Sequence, residues 1–113
     1  MTGGISYDEV TFRVPDETHG PSARYHQQGD LVWADFGGGE VRRGSVVGTC
    51  DDDGVLRLSY CMVLRGGGII AGRSTSTPQR LADGRIRLTE RWERYGPDAA
   101  SGVSYLEQVS DPR

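Results

Sequence analysis

The chain has 113 residues, of which 26% are charged, and a net charge of −3. That length fits one domain, able to bury roughly two-thirds of its unfolded surface, and that charge gives no general attraction to nucleic acid or anionic lipid. All thirteen cations are arginines, which excludes Schiff-base lysine chemistry and a phosphate-loop lysine and suggests a GC-rich bacterial genome. No stretch approaches the ~20 apolar residues of a membrane-spanning helix, and nothing near Met1 combines basic residues with an apolar run. The expectation is a cytoplasmic protein without membrane contact.

The seventeen glycines fall mostly in clusters that separate alternating or β-rich runs, the pattern of an all-β chain with frequent tight turns. The spacing predicts strands at 9–14, 23–28, 31–36, 40–50, 55–64, 69–76, 85–94 and 103–109. No segment carries a 3.6-residue apolar period. With hairpin-short connections, consecutive strands pair antiparallel. Eight of them close into an antiparallel up-and-down β-barrel of calycin-like shape, which leaves no exposed sheet edge; a bent sheet or two-layer sandwich is the alternative. Residues 1–113 read as this single domain, with 1–8 and 110–113 as frayed ends and with 15–22 and 96–102 as the longest loops.

The turns predict which side chains point inward. Gln28-Gly29-Asp30-Leu31 suits a two-residue turn that pairs Gln27 with Val32. Gly37-Gly38-Gly39 suits a three-residue loop that puts Gly44 and Val46 on the face of Val32, Ala34 and Phe36. Asp52-Asp53-Gly54 reads as a type I turn with glycine in the left-handed bulge position, setting Cys50 opposite Leu56. Gly66-Gly67-Gly68 reads the same way and sets Leu64 opposite Ile70. All four place the apolar series Leu56, Leu58, Tyr60, Met62 and Leu64 on one face with the others, and agreement across independent turns is what a single enclosed core requires.

The interior then receives Val10, Phe12 and Val14 from the first strand, Tyr25 and Gln27 from the second, and Ser74, Ser76, Ile86, Leu88, Glu90 and Trp92 from the later ones. Gly44, Gly48 and Gly72 share that face in mid-strand, where a glycine marks a sharp bend or space left free. Glu90 is the anomaly, because an unpaired buried carboxylate costs several kcal/mol. Tyr25, Gln27, Tyr60, Ser74, Ser76 and the Trp92 indole N–H offer it donors and acceptors. With few donors near it Glu90 gains a raised pKa and a capacity for proton transfer; with several it stays ionised and organises the core.

Other motifs carry less. Cys50 and Cys61 fall on neighbouring strands but on opposite faces, so no disulfide is expected. Asp51-Asp52-Asp53 lacks the alternate spacing and closing glutamate of a calcium loop and reads as a solvated turn. His26 faces outward and His19 sits in a loop, so neither forms a metal set with the cysteines, and no metal or cofactor is expected. Arg43, Arg57, Arg73, Arg85, Arg87 and Arg91 fall mostly on the outer face, where pairing with acids is the simplest reading. Trp33 and Tyr95 are their only clear aromatic company, which argues against a nucleic-acid surface. An exposed Trp33 suits a subunit contact, hence a homo-oligomer.

The runs TFR at 11–13, YHQQGD at 25–30, GGxVxxG at 38–44, STP at 76–78, DGRIRLxExW at 83–92 and GxSxLEQV at 102–109 resemble a family of small uncharacterised bacterial proteins, some of which carry the label N-acetylglutamate synthase. The resemblance spans nearly the whole chain. It implies that Tyr25, Gln27, Tyr60, Ser76, Glu90 and Trp92 occupy positions matching the family pattern. An acetyltransferase of that label holds the pyrophosphate of acetyl-CoA on a glycine-rich turn leading into a helix, and no helix is expected after any glycine cluster here.

Two functional readings follow, with a third as the bland alternative. The first is a binding module that takes a small apolar or amphipathic molecule through an open end, with Gln27, Ser74, Ser76, Trp92, Tyr60 and Glu90 as ligand-binding residues. The second is a cofactor-independent isomerase or cyclase with Glu90 as general acid or base and Tyr25 or Tyr60 donating to a developing oxyanion. The third is a closed structural or partner-binding barrel. Whether the last strand turns Ser104 and Leu106 or Tyr105 and Glu107 inward is open, because the preceding loop does not fix its register.

Overall fold

The computed structural model describes residues 5–15, 17 and 20–109, with Asp98 described in its backbone alone. Eight strands follow in chain order: β1 Thr11–Arg13, β2 Ser22–Gln28, β3 Leu31–Gly38, β4 Val41–Cys50, β5 Leu56–Leu64, β6 Ile69–Arg80, β7 Ile86–Arg94 and β8 Ala100–Gln108. Each pairs antiparallel with the next, and β8 returns to pair with β1, so the sheet is a closed barrel. The expected antiparallel up-and-down barrel is therefore the fold. One 3₁₀ turn, Gly96–Asp98, interrupts the strands, and β8 begins at Ala100 inside the stretch expected to be loop. His19 and part of the loop 15–22 lie outside the described residues.

Two of the turns form as read. Gln27 pairs with Val32 across Gly29-Asp30, and Cys50 pairs with Leu56 across a turn whose Gly54 has φ +80°. The other two shift without changing faces. Gly67 rather than Gly68 takes the left-handed position, so Ile70 pairs with Met62 and not with Leu64. Near Gly38 the turn is tighter than a three-residue loop: Gly38 pairs with Val41, and a bulge between Phe36 and Gly38 restores the pairing of Phe36 with Gly44. The Leu64 slip is two residues long and the bulge absorbs the other, so the period-2 alternation keeps Leu56, Leu58, Tyr60 and Met62 on the inner face with Val32, Ala34 and Val46.

The mid-strand glycines mark close approach rather than free volume. A Cβ at Gly44 would run into the Phe36 ring, and one at Gly102 into the Trp92 indole. At Gly48 it would strike the Arg57 carbonyl, and at Gly72 the Glu93 carbonyl and the Tyr60 hydroxyl. Two glycines thus seat aromatic rings, and two allow the backbones of adjacent strands to coil tightly enough to close the barrel.

One end of the barrel is sealed. Residues 5–8, expected to fray with the rest of 1–8, instead cross this end, and Tyr7 is 0% exposed. Its hydroxyl donates to the Gly54 carbonyl at 2.6 Å, and its ring packs with Phe12 and Tyr25 at centroid distances of 6.1 and 6.3 Å. The segment is held by a reciprocal exchange with Gln27: Tyr7 N–H donates to Gln27 Oε1 at 2.8 Å, and Gln27 N–H donates to Asp8 Oδ1 at 3.0 Å. Val32, Leu56, Leu58, Ile86 and Leu88 fill the space beneath, each contributing about 1.5–3 kcal/mol by leaving water.

The outer face carries the ion pairs expected of its arginines. Arg57 meets Asp51 at 2.9 Å, Arg73 meets its cross-strand neighbour Glu93 at 2.9 Å, and Arg85 meets Asp83 at 2.7 Å. The cysteines are free, Cys50 facing in and Cys61 out. Trp33, 38% exposed, stacks on His26 at 5.6 Å and lies beside Val47 and near Leu31 on the outer face of β3 and β4.

Gly48→Ala is expected to cost about 1–3 kcal/mol by forcing the β4 and β5 backbones apart, whereas Gly66→Ala, with open space around it, leaves stability within about 0.5 kcal/mol of wild type; urea denaturation separates the two. Tyr7→Phe keeps the ring but leaves the Gly54 carbonyl unpaired, and in the same measurement costs about 1–3 kcal/mol.

Candidate functional site

Strand β7 decides what the barrel contains. Beyond Ile86, which belongs to the packed floor, its inward side chains are Leu88, Glu90, Trp92 and Arg94, and successive ones stand about 7 Å apart along the strand. On β6 the residues paired with them are Pro78, Ser76, Ser74 and Gly72, and on β8 Leu106, Ser104 and Gly102 stand beside Leu88, Glu90 and Trp92. From the sealed end outward the wall therefore runs from apolar to acid to indole to guanidinium. Above the packed floor lies a cavity of about 310 Å³ that opens at the end opposite Tyr7, where Val14, Pro21, Val41, Met62 and Arg94 form the mouth. Its walls are mostly apolar, with Tyr25, Tyr60, Ser74, Glu90 and Ser104 as the polar groups part way down.

Glu90 is half-buried on this wall rather than enclosed. Desolvation alone acts on its titration, pushing its pKa above the ordinary carboxylate value. That is the few-donor outcome of the two that the sequence left open. Tyr25 is wholly buried; burial first, then the charges of Glu90 and Tyr7, push its phenol up, so it keeps its proton at any physiological pH. Burial also raises Tyr60, with Arg94 opposing, and its hydroxyl donates to the Glu93 carbonyl at 3.3 Å. Trp92 Nε1 donates to Ser104 Oγ at 3.0 Å, and the Arg94 guanidinium lies 5.2 Å over the indole.

Five of the expected site residues therefore share one cavity: Tyr25, Tyr60, Ser74, Glu90 and Trp92. Two do not line it. Gln27 sits at the sealed end, where its amide ties Tyr7 and donates to the Gly29 carbonyl at 2.9 Å, so its role is to hold the seal. Ser76 is 0% exposed beneath the cavity, directly across from Glu90, and its Oγ has no hydrogen-bond partner among the described residues. The structure turns Ser104 and Leu106 inward, settling the last strand. Arg94 was missed as a site residue, although its spacing from Glu90 and Trp92 along an alternating strand already placed it on their face.

Because the folded protein holds the Glu90 proton more tightly than the unfolded chain does, stability contributed by the neutral acid is present at low pH and is lost as pH rises from the ordinary carboxylate pKa through the raised one. Glu90→Gln removes that loss. The melting temperature of the variant minus that of wild type is expected to be more positive at about pH 7 than at about pH 4, and a difference that does not change with pH would contradict the desolvated position of the carboxylate.

Over residues 5–109 the chain matches the sequence profile of the family described as avidin-like protein. No curated protein and no solved structure matches it. A match covering nearly the whole barrel, from the sealing segment to the end of β8, makes the chain a member of the avidin-like family.

Proposed function

We propose that the protein binds a small molecule of largely apolar body, which enters the open end of the barrel and rests against Tyr25, Tyr60, Ser74, Glu90 and Trp92. The observation that carries this reading is the blind cavity: a volume of about 310 Å³ with a sealed floor, an open mouth and a few polar groups at mid-depth. It lies at the lower end of the range of ligand pockets, roughly 300–1,000 Å³, and apolar walls with a few convergent polar groups are the usual composition of such sites. Membership of the avidin-like family supports small-molecule binding in the same barrel.

Binding is favoured over catalysis by the surroundings of Glu90. A general acid or base needs a route for its proton and a group to complement it, but the Tyr60 hydroxyl is engaged by the Glu93 carbonyl, and Arg94 lies toward the mouth over the Trp92 ring. The cavity also sits poorly with a closed structural barrel, whose interior would be filled. The exposed Trp33, Leu31 and Val47 support a contact between copies of the chain, which the ligand reading does not require.

Ala23 lines the cavity, and Ala23→Phe is expected to fill part of it. In a thermal-shift screen of small amphipathic fragments that includes biotin, one or more compounds should raise the melting temperature of wild type and quench Trp92 emission, read in a Trp33→Phe background. The Ala23→Phe protein should respond to none of them. A screen without a wild-type response, or with equal responses in Ala23→Phe, would remove the cavity as the binding site.

A further inference from the structure

The charge arrangement inside the cavity specifies the ligand further, on the premise that the cavity binds one. Glu90 is the acid of the cavity wall, and among the described residues no arginine or histidine lies within bridging distance of it and no hydrogen bond reaches its carboxylate. The groups that face it from the packed elements are neutral: Tyr25 from β2, Tyr60 from β5, Ser74 and Ser76 from β6, and Ser104 from β8. Strands β1, β3 and β4 contribute only apolar side chains to this cavity, among them Phe12, Phe36 and Val46. The cavity's cation, Arg94, stands four residues further along β7, about 13 Å nearer the mouth by strand rise, and is engaged over the Trp92 ring.

An occupant must complement that acid or leave it stranded. An ammonium supplies a charge-assisted hydrogen bond to the carboxylate, the strong class of such bonds, and tolerates the aromatic rings of Tyr25 and Trp92 around it. A carboxylate at the same depth would meet a like charge. A neutral carbonyl would be accepted only where Glu90 carries its proton. Ser76, directly across the ladder from Glu90, is buried beneath the cavity and brings no charge to the carboxylate. We infer that the ligand is a small organic amine, its cationic head against Glu90 and its apolar body toward the mouth.

Three molecules of one shape but different heads test this: 2-phenylethylamine, phenylacetamide and phenylacetate, titrated into wild type and Glu90→Gln by calorimetry and by the Trp92 indole N–H resonance. The amine is expected to bind wild type best, to tighten from about pH 5 to about pH 8 as Glu90 ionises, and to weaken about tenfold to a hundredfold in Glu90→Gln. Phenylacetate should not bind at the upper pH. The wild-type pH profile carries the test even if the variant folds poorly. Amide or phenylacetate binding as tightly as the amine would overturn the amine assignment, as would amine affinity unchanged within about twofold in Glu90→Gln or falling as pH rises. If those failures occur while the fragment screen still yields cavity ligands, the amine head is wrong and the binding reading stands; if nothing binds in either experiment, both are wrong.

Discussion

The barrel closes on a seam of three residues. Thr11–Arg13 pairs with β2 on one side and β8 on the other, with Phe12 opposite both Ala23 and Gln108. This is the shortest strand of the sheet, and it is reinforced from outside its own ladder. Val109 N–H donates to the Thr11 carbonyl at 2.8 Å, Gln108 Oε1 accepts from Ile86 N–H at 3.0 Å, and Glu107 lies within reach of both Arg85 and Arg87. Once the ring is closed, alternation leaves each strand no freedom: one set of side chains must share the lumen and the other must face water. Glu90 is inside because Leu88 and Trp92 are inside.

Closure alone would give a filled barrel or a channel. The chain makes neither, because its two ends are treated differently. At one end Tyr7 folds across the opening and the rings of Tyr7, Phe12 and Tyr25 interlock, Phe12 and Tyr25 meeting edge to face at 5.5 Å. At the other end the mouth residues stop short of one another and leave the cavity open. The glycines contribute by subtraction in a specific way: Gly44 and Gly102 let Phe36 and Trp92 lie flat against the wall instead of projecting across the lumen. Tall aromatic side chains therefore shape the cavity without filling it. The acid between them has lost water without gaining a partner, a cost in stability that a bound cation would offset.

Much of this was legible in the sequence because the signals involved are local. Glycine positions set turn types, turn types set register, and register sets faces; an error of two residues, as at Leu64 and Ile70, leaves the faces intact. The inward positions of Tyr25, Tyr60, Ser74, Glu90 and Trp92 needed nothing more than that parity. Gln27 shows where parity stops being sufficient. It faces the same side as Tyr25 but one step nearer the sealed end, and its amide is occupied by backbone groups of Tyr7 and Gly29. The sealing role of Tyr7 had no local signature, since Ile5–Asp8 carries neither a strand pattern nor a turn motif and is ordered by contacts made with residues 20 to 47 positions away.

The sequence by itself determined an all-β chain of eight strands, their antiparallel order, and the inward face of each except the last, because alternation and turn chemistry act over a few residues. Only the tertiary structure decided that one end is sealed and the other open, that Ser104 rather than Tyr105 faces Glu90, and that the carboxylate lies at the wall of a cavity instead of within a satisfied polar network. Those are properties of the closed ring. They depend on how far side chains from strands distant in the chain reach across a shared interior, and no stretch of sequence contains that distance.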